Sequence, residues 1–348
     1  MRGLSRWAQA ALVLVGATLL VGIFLPVPYV TLSPGPTFDV LADVDGEPVL
    51  DVSGARTYDT PGRLDLTTVS ELGGTSGSTS LGSAVVGWLS PNQSVEPRSQ
   101  RYPEGTDLGQ QRQISQSVFD ASASSALAAA ATYLDRPVYT RALVSDVEPG
   151  SPADGALQSG DVLTSVAGQE VESAAQVGEA VRAQQAGDTV TVKYTRDGEP
   201  STVDIVATTH PDGSDSAYLG TLLVDYYTSD FEVDLALNGI GGPSAGMVFA
   251  VGIVDKMTAD EVVGGTHVAG TGTITPDGDI GPIGGANKKM IGAARSGAGF
   301  FIAPRSNCAD FADNIPDGLQ VAAVDTLSEA LAATQAWRSG ATDLPSCK

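Results

Sequence analysis

The sequence predicts a multidomain protein of mixed α+β and α/β character, beginning with an N-terminal transmembrane helix. Three observations carry that expectation. Trp7 to Leu25 contains no charged residue, residues 137–210 hold short β-runs punctuated by glycine turns, and residues 218–340 alternate apolar strands with helices. At 348 residues the chain is long enough for two or three domains with real cores. Hydrophobic residues at 42% against 17% charged suit a folded chain. The formal net charge of −22 argues against nucleic-acid partners, because neutralising phosphates takes a basic surface.

Arg2 and Arg6 precede the apolar run, which only Gln9 and Thr18 interrupt with polar groups. At about 1.5 Å per residue the run covers roughly the ~30 Å hydrocarbon core of a bilayer. Arginines before it and a mostly acidic chain after it put the N-terminus in the cytoplasm and the bulk outside, as a single-pass cell-membrane protein. Pro26-Val-Pro-Tyr-Val30 stands where a small-residue cleavage pattern would follow a signal peptide. Residues 1–28 therefore read as a cytoplasmic tip and an uncleaved anchor.

Residues 29–136 read as a β-rich segment with one helix. Tyr29–Leu32, Phe38–Leu41, Val49–Val52 and Leu64–Val69 are strand-like, the first two around the Ser33-Pro-Gly-Pro36 turn. Gly73 to Gly82 is a Gly/Ser/Thr-rich loop. No GxxxxGK[ST] word occurs there or elsewhere in these residues, which argues against an ATPase module among them. Gln113 to Leu134, rich in alanine, reads as a helix. Cys308 and Cys347 form an even pair that, outside the cytoplasm, reads as a disulfide. No CxxC or HExxH word points to a metal, and no cofactor is expected.

In residues 137–210 the strand Ala142–Val147 leads into Gly150-Ser-Pro-Ala153. Leu157-Gln-Ser-Gly-Asp-Val-Leu163 follows, then a helix from about Ser173 to Gln185 and the hairpin opening at Gly187-Asp-Thr-Val-Thr-Val192. These words, in this order, resemble a PDZ domain of the bacterial protease-associated type. The resemblance implies that a peptide C-terminus adds as a strand beside the sheet, its carboxylate held by a glycine-containing loop. That loop is expected near Tyr133 to Thr140, where Leu134-Asp-Arg-Pro137 offers no glycine pattern; a spacer or gating role is the alternative.

Residues 211–348 carry the chemistry. Asn238-Gly-Ile-Gly-Gly-Pro-Ser-Ala-Gly246 presents a serine at the mouth of an apolar helix, and Lys288 and Lys289 follow the Gly284-Gly285 pair. The chain holds only two histidines, so a nucleophilic serine would more readily take its base from lysine. Lysine serves as a base only when neutral, which requires burial to lower its pKa towards ~7–8. The N–H groups of Gly242 and Ser244 are oxyanion-hole candidates, worth ~3 kcal/mol per donor. Gly242-x-Ser-x-Gly246 also fits the nucleophile elbow of α/β-hydrolases, but that fold needs a histidine well after the serine. Only His267 follows Ser244, in a strand pattern where it reads as structural, and His210 lies at the hinge with no evident partner.

Gly242-Pro-Ser-Ala-Gly246, Gly270-Thr-Gly272, Gly284-Gly-x-x-x-Lys289 and the strand ending at Pro304 together resemble the proteolytic domain of Lon. With the anchor and PDZ words upstream, the likeness is to membrane-anchored, PDZ-containing Lon-like proteases that lack the ATPase module. The resemblance implies Ser244 as nucleophile, Lys289 as its base with Lys288 as the near alternative, and Thr271 as the residue orienting the lysine. It also implies an ATP-independent serine endopeptidase acting on extracytoplasmic or membrane-proximal protein or peptide substrates, and a homo-oligomer, typically a hexamer. The alternative is a non-catalytic membrane-anchored adaptor that binds extracytoplasmic protein tails through the PDZ unit.

Overall fold

The computed structural model describes residues 7, 14, 20–44, 46–74, 77–103, 108–211, 213, 216–237 and 239–347. The transmembrane helix expected over Trp7–Leu25 falls largely outside them. Among the described residues no helix is long and apolar enough to cross a membrane.

The chain enters strand β1 (Tyr29–Asp39), then β2 (Leu50–Ser53) and β3 (Arg63–Leu72). β1 unites the two strands expected on either side of Ser33-Pro-Gly-Pro36. The register shifts between Pro34 and Thr37 where the prolines cannot donate to the ladder. Glycine is required between them, because a Cβ on Gly35 would stand 2.3 Å from Thr68 Oγ1. Helix α1 (Leu81–Leu89), strand β4 (Ser94–Pro97) and the long helix α2 (Leu108–Tyr133) follow. α2 begins five residues before the helix read from the alanine pattern.

The PDZ-like unit comprises β5 (Tyr139–Val147), β6 (Val162–Val166), α3 (Ala174–Arg182), β7 (Thr189–Arg196), β8 (Glu199–Val206) and β9 (Thr221–Thr228). Its antiparallel sheet runs β8-β7-β6-β5-β9. Strict alternation in β7 turns Val190, Val192 and Tyr194 inward onto Val144, Leu163, Val166 and Val177. The edge strand β9 comes from beyond residue 210, so the sheet crosses the expected domain boundary.

The remaining elements are β10 (Glu232–Leu235), α4 (Gly246–Met257), β11 (His267–Gly270), α5 (Ala286–Ser296), β12 (Phe300–Pro304), β13 (Gln320–Val324) and α6 (Leu327–Arg338). Their sheet has the order β13-β12-β11-β3-β1-β4, with β13, β12, β11 and β3 parallel. Residues 29–136 are therefore not a unit apart. β3 pairs with β11, β2 with β10, and Phe119 of α2 meets Phe249 of α4 edge to face at 5.5 Å. A parallel sheet needs both faces covered. α4, buried throughout Gly246–Asp255, fills one face, and Ala286, Met290 and Ala293 of α5 pack on the other with Phe301 and Phe311. Cys308 and Cys347 are joined by a disulfide that ties the C-terminal tail down.

Candidate functional site

The site forms where β11 ends and α4 and α5 begin. The expected strand 267–274 stops at Gly270, because Gly272 turns its N–H to the Ser244 carbonyl (3.0 Å) rather than along a sheet. Helix α4 starts at Gly246, with Ala245 as its N-cap and no side-chain cap. Ser244 therefore sits one residue before the cap, and its hydroxyl is not spent on capping.

Four contacts hold the serine loop. The Ser244 carbonyl accepts from Gly272 N–H and from the Thr271 hydroxyl, both at 3.0 Å. Ser122 of α2 donates its hydroxyl to the Pro243 carbonyl at 2.9 Å, and Gly242 donates its N–H to the Ser115 carbonyl of α2 at 3.0 Å. Gly242 adopts φ +86, a left-handed conformation that suits glycine. A Cβ on Gly246 would stand 2.6 Å from Ser122 Oγ, so the helix start and α2 touch directly.

Lys289 comes from the first turns of α5, whose N-cap Gly285 is also left-handed at φ +72. The side chain is only 4% exposed. Its Nζ lies 2.5 Å from Ser244 Oγ and 3.0 Å from Thr271 Oγ1. The Thr271 hydroxyl gives its proton to the Ser244 carbonyl, so its oxygen is left to accept from the amine. Burial pushes the Lys289 pKa down to about 8, and no other cause contributes. Lys288, its neighbour, is only partly buried and points elsewhere on the helix. The sequence words thus converge in space as Ser244, Lys289 and Thr271.

Gly242 requires a correction. Its N–H, expected to face a developing oxyanion, is taken by the Ser115 carbonyl. Among the described residues the N–H groups of Ser244 and Ala245 have no hydrogen-bond partner, which makes that pair the available donors. Sequence reasoning missed Ala245, and it missed α2 as the brace of the loop, since nothing links Ser115 to Gly242 or Ser122 to Pro243 but the fold. His267 is structural, as its strand position suggested: Nε2 stands 3.0 Å from Oδ2 of the fully buried Asp65, which also pairs with Arg63. His210 does have a partner, its ring lying edge-on to Tyr218 at 4.9 Å.

In the PDZ-like unit, residues 133–140 lead from α2 into the inner strand β5, not into the edge strand. The edge strand β9 is led in by Tyr218-Leu219-Gly220, with Gly220 at φ +83 and Leu219 buried. α3 packs beside β9, its Ala174 N–H donating to Asp225 Oδ1 (2.8 Å).

Comparison with known proteins places two segments of the chain in families. Residues 107–206 match the family model of the PDZ domain, starting upstream of the expected residue 137. Residues 238–336 match that of the Lon protease (S16) C-terminal proteolytic domain, which contains Ser244, Thr271 and Lys289. Lon protease of Rhizobium meliloti (strain 1021) is 37% identical over 94 residues, covering 26% of this chain and 11% of its own. Lon protease 2 of Syntrophobacter fumaroxidans is 44% identical over 79 residues, covering 23% of this chain and 10% of its own. The match thus spans about a tenth of the length of these relatives. The solved PDZ domain of an SdrC-like protein from Listeria monocytogenes shares 26% identity over 24% of this chain and 86% of its own, with a TM-score of 0.22. The chain carries a PDZ domain and a Lon-type proteolytic domain.

Proposed function

We propose that this chain is a serine endopeptidase that works by a Ser244–Lys289 dyad without ATP. It acts on protein or peptide segments outside the cytoplasm from a membrane anchor in residues 1–28. The observation that carries the reading is the buried amine 2.5 Å from the serine hydroxyl, with its pKa lowered to about 8. In its neutral form Lys289 accepts the Ser244 proton while Oγ attacks the scissile carbonyl carbon. The oxyanion lies against the N–H groups of Ser244 and Ala245 at the start of α4, where the helix dipole adds to their pull. The resulting ammonium, steadied by Thr271 Oγ1, gives its proton to the leaving amine. A water then enters, Lys289 takes its proton, and the acyl-enzyme opens to release the acid and restore the serine.

β9 is the last strand of its sheet and lies beside α3; ahead of Tyr227, whose N–H is taken by Ser124 Oγ of α2, it offers the PDZ domain a place to take a substrate tail as an added strand. An intact dyad speaks against an adaptor that only binds. Family likeness supports a homo-oligomer, a hexamer in that family. The test uses the full chain in detergent or vesicles with an unfolded reporter protein and no nucleotide. Cleavage by the wild type, and none by Ser244→Ala or Lys289→Met of unchanged circular dichroism, is expected. Undiminished cleavage by both variants defeats the assignment.

A further inference from the structure

Helix α1 turns its large apolar residues away from the protein. None of its nine residues is charged, and Ser80 caps its start by accepting from Ser83 N–H at 3.2 Å. Its inward side is made of small residues: Ala84 and Gly87 are buried, and a Cβ on Gly87 would stand 2.6 Å from Val95 Cγ2. Val85, Val86, Trp88 and Leu89 are instead 41, 62, 54 and 81% exposed. A contiguous apolar face of this kind marks a surface that something covers.

Its place in the chain says what that is. Leu81 N–H donates to the Leu25 carbonyl (2.8 Å), and Pro26–Val27 pairs antiparallel with Thr79–Ser80. A Cβ on Gly82 would stand 2.5 Å from Ile23 Cγ2. Helix α1 is thus stitched to the point where the uncharged run Trp7–Leu25 ends, and Phe24 and Leu25 are exposed there too. A groove of about 940 Å³ opens between them; Ile23, Phe24, Leu81, Val85 and Val86 form its apolar side, and polar groups including Glu71, which pairs with Arg101, line the rest. Trp88 packs edge-on against Tyr29 at 5.2 Å, two residue types that favour the headgroup level of a bilayer.

We propose that α1 is an interfacial foot: the Val85, Val86, Trp88 and Leu89 face seats in the bilayer surface, and lipid chains fill the groove against Ile23 and Phe24. This rests on the membrane-anchor reading of residues 1–28. It also limits the height of the site. β3 runs from Thr67, whose hydroxyl donates to the Gly270 carbonyl beside Thr271, to Leu72 at the rim of the groove. Five strand residues at about 3.3 Å each put the dyad on the order of 15–20 Å from the rim of the groove, which bounds its height above the lipid. The substrate is then a chain segment lying that close to the membrane.

Full-length Trp7→Phe protein is reconstituted in phosphatidylcholine–phosphatidylglycerol vesicles, with or without lipids brominated near the carboxyl end of the acyl chains. Of the three tryptophans, Trp88 and Trp337 then remain, and Trp337 is stacked on Phe300 at 4.9 Å. A Trp88→Phe variant in the same background supplies the baseline. Brominated lipid is expected to remove most of the Trp88 emission. Val86→Asp with Leu89→Asp should abolish that quenching while peptide hydrolysis in detergent stays unchanged. Flotation with the vesicles reports the anchor separately. Protein that floats without Trp88 quenching overturns the foot and leaves the anchor standing; protein that does not float overturns both. Shielding of Trp88 that needs no lipid and grows with protein concentration assigns the face to a second copy, and overturns the foot as well.

Discussion

Lys289 Nζ stands 2.5 Å from Ser244 Oγ, and desolvation alone accounts for its lowered pKa of about 8. No neighbouring charge needs to move for the amine to lose its proton. The lowered pKa follows from where α5 places the amine, with Met290 beside it fully buried.

That burial costs stability, with a definite pH signature. The unfolded chain keeps the lysine proton up to its ordinary 10.5, the folded chain only to about 8. Between those values the folded state binds fewer protons, so stability rises with pH across that window; below about 8 the full cost is present. The difference is on the order of 3 kcal/mol. Lys289→Met, which keeps the volume without the charge, is expected to stabilise the fold at pH 7 by up to about that amount while ending hydrolysis. Denaturant midpoints of the two proteins at pH 7 and pH 10 check this: the gap should narrow at the higher pH.

Thr271 joins the two halves of the site, donating to the Ser244 carbonyl and accepting from Lys289. Thr271→Val removes both bonds. The loss of a bond to an amine that becomes charged is worth roughly 1.5–3 kcal/mol, so kcat should fall by about ten- to a hundredfold with KM little changed. Thr271→Ser should restore most of it. Equal activity in Thr271→Val would remove the threonine from the account.

Much of this site was legible as words in the chain. Ser244 and Lys289 follow, within four residues, the left-handed glycines Gly242 and Gly285, Thr271 stands between Gly270 and Gly272, and these survive as local pattern. What was not legible is long-range. β3 inserts beside β11 across some two hundred residues, so Leu66 faces Gly270, and no local periodicity reports such a pairing. The Gly242 N–H went to Ser115 because α2 lies over the loop, a fact of packing rather than of sequence. The outermost strand of the PDZ-like sheet was not legible either, because β9 enters only after β8, led in by Tyr218-Leu219-Gly220.

The brace from α2 can be weighed on its own. Ser122 is 6% exposed, and Ser122→Ala leaves the Pro243 carbonyl without that donor. A destabilisation of about 1–3 kcal/mol is expected, with kcat reduced as the serine loop loosens. Thermal melting and initial rates on one peptide measure both. A variant that melts lower at unchanged kcat would make Ser122 a structural residue only.

The Cys308–Cys347 bond closes a sequence separation of 39 residues. Replacing both cysteines by alanine should cost about 2–4 kcal/mol. The dyad is held by α4, α5 and β11, so kcat should stay within about twofold at temperatures where the fold persists, a margin set by the roughly 0.4 kcal/mol it represents. Denaturation and activity of the same preparation separate the two effects.

The most direct test of the dyad is the rate at which Ser244 is acylated by a sulfonyl fluoride or activated peptide ester, followed by mass spectrometry from pH 6 to pH 10. The rate should climb with a midpoint near 8, with the label on Ser244 and Lys289→Met unreactive throughout. A pH-independent rate, or a labelled serine in Lys289→Met as reactive as in the wild type, would contradict the account.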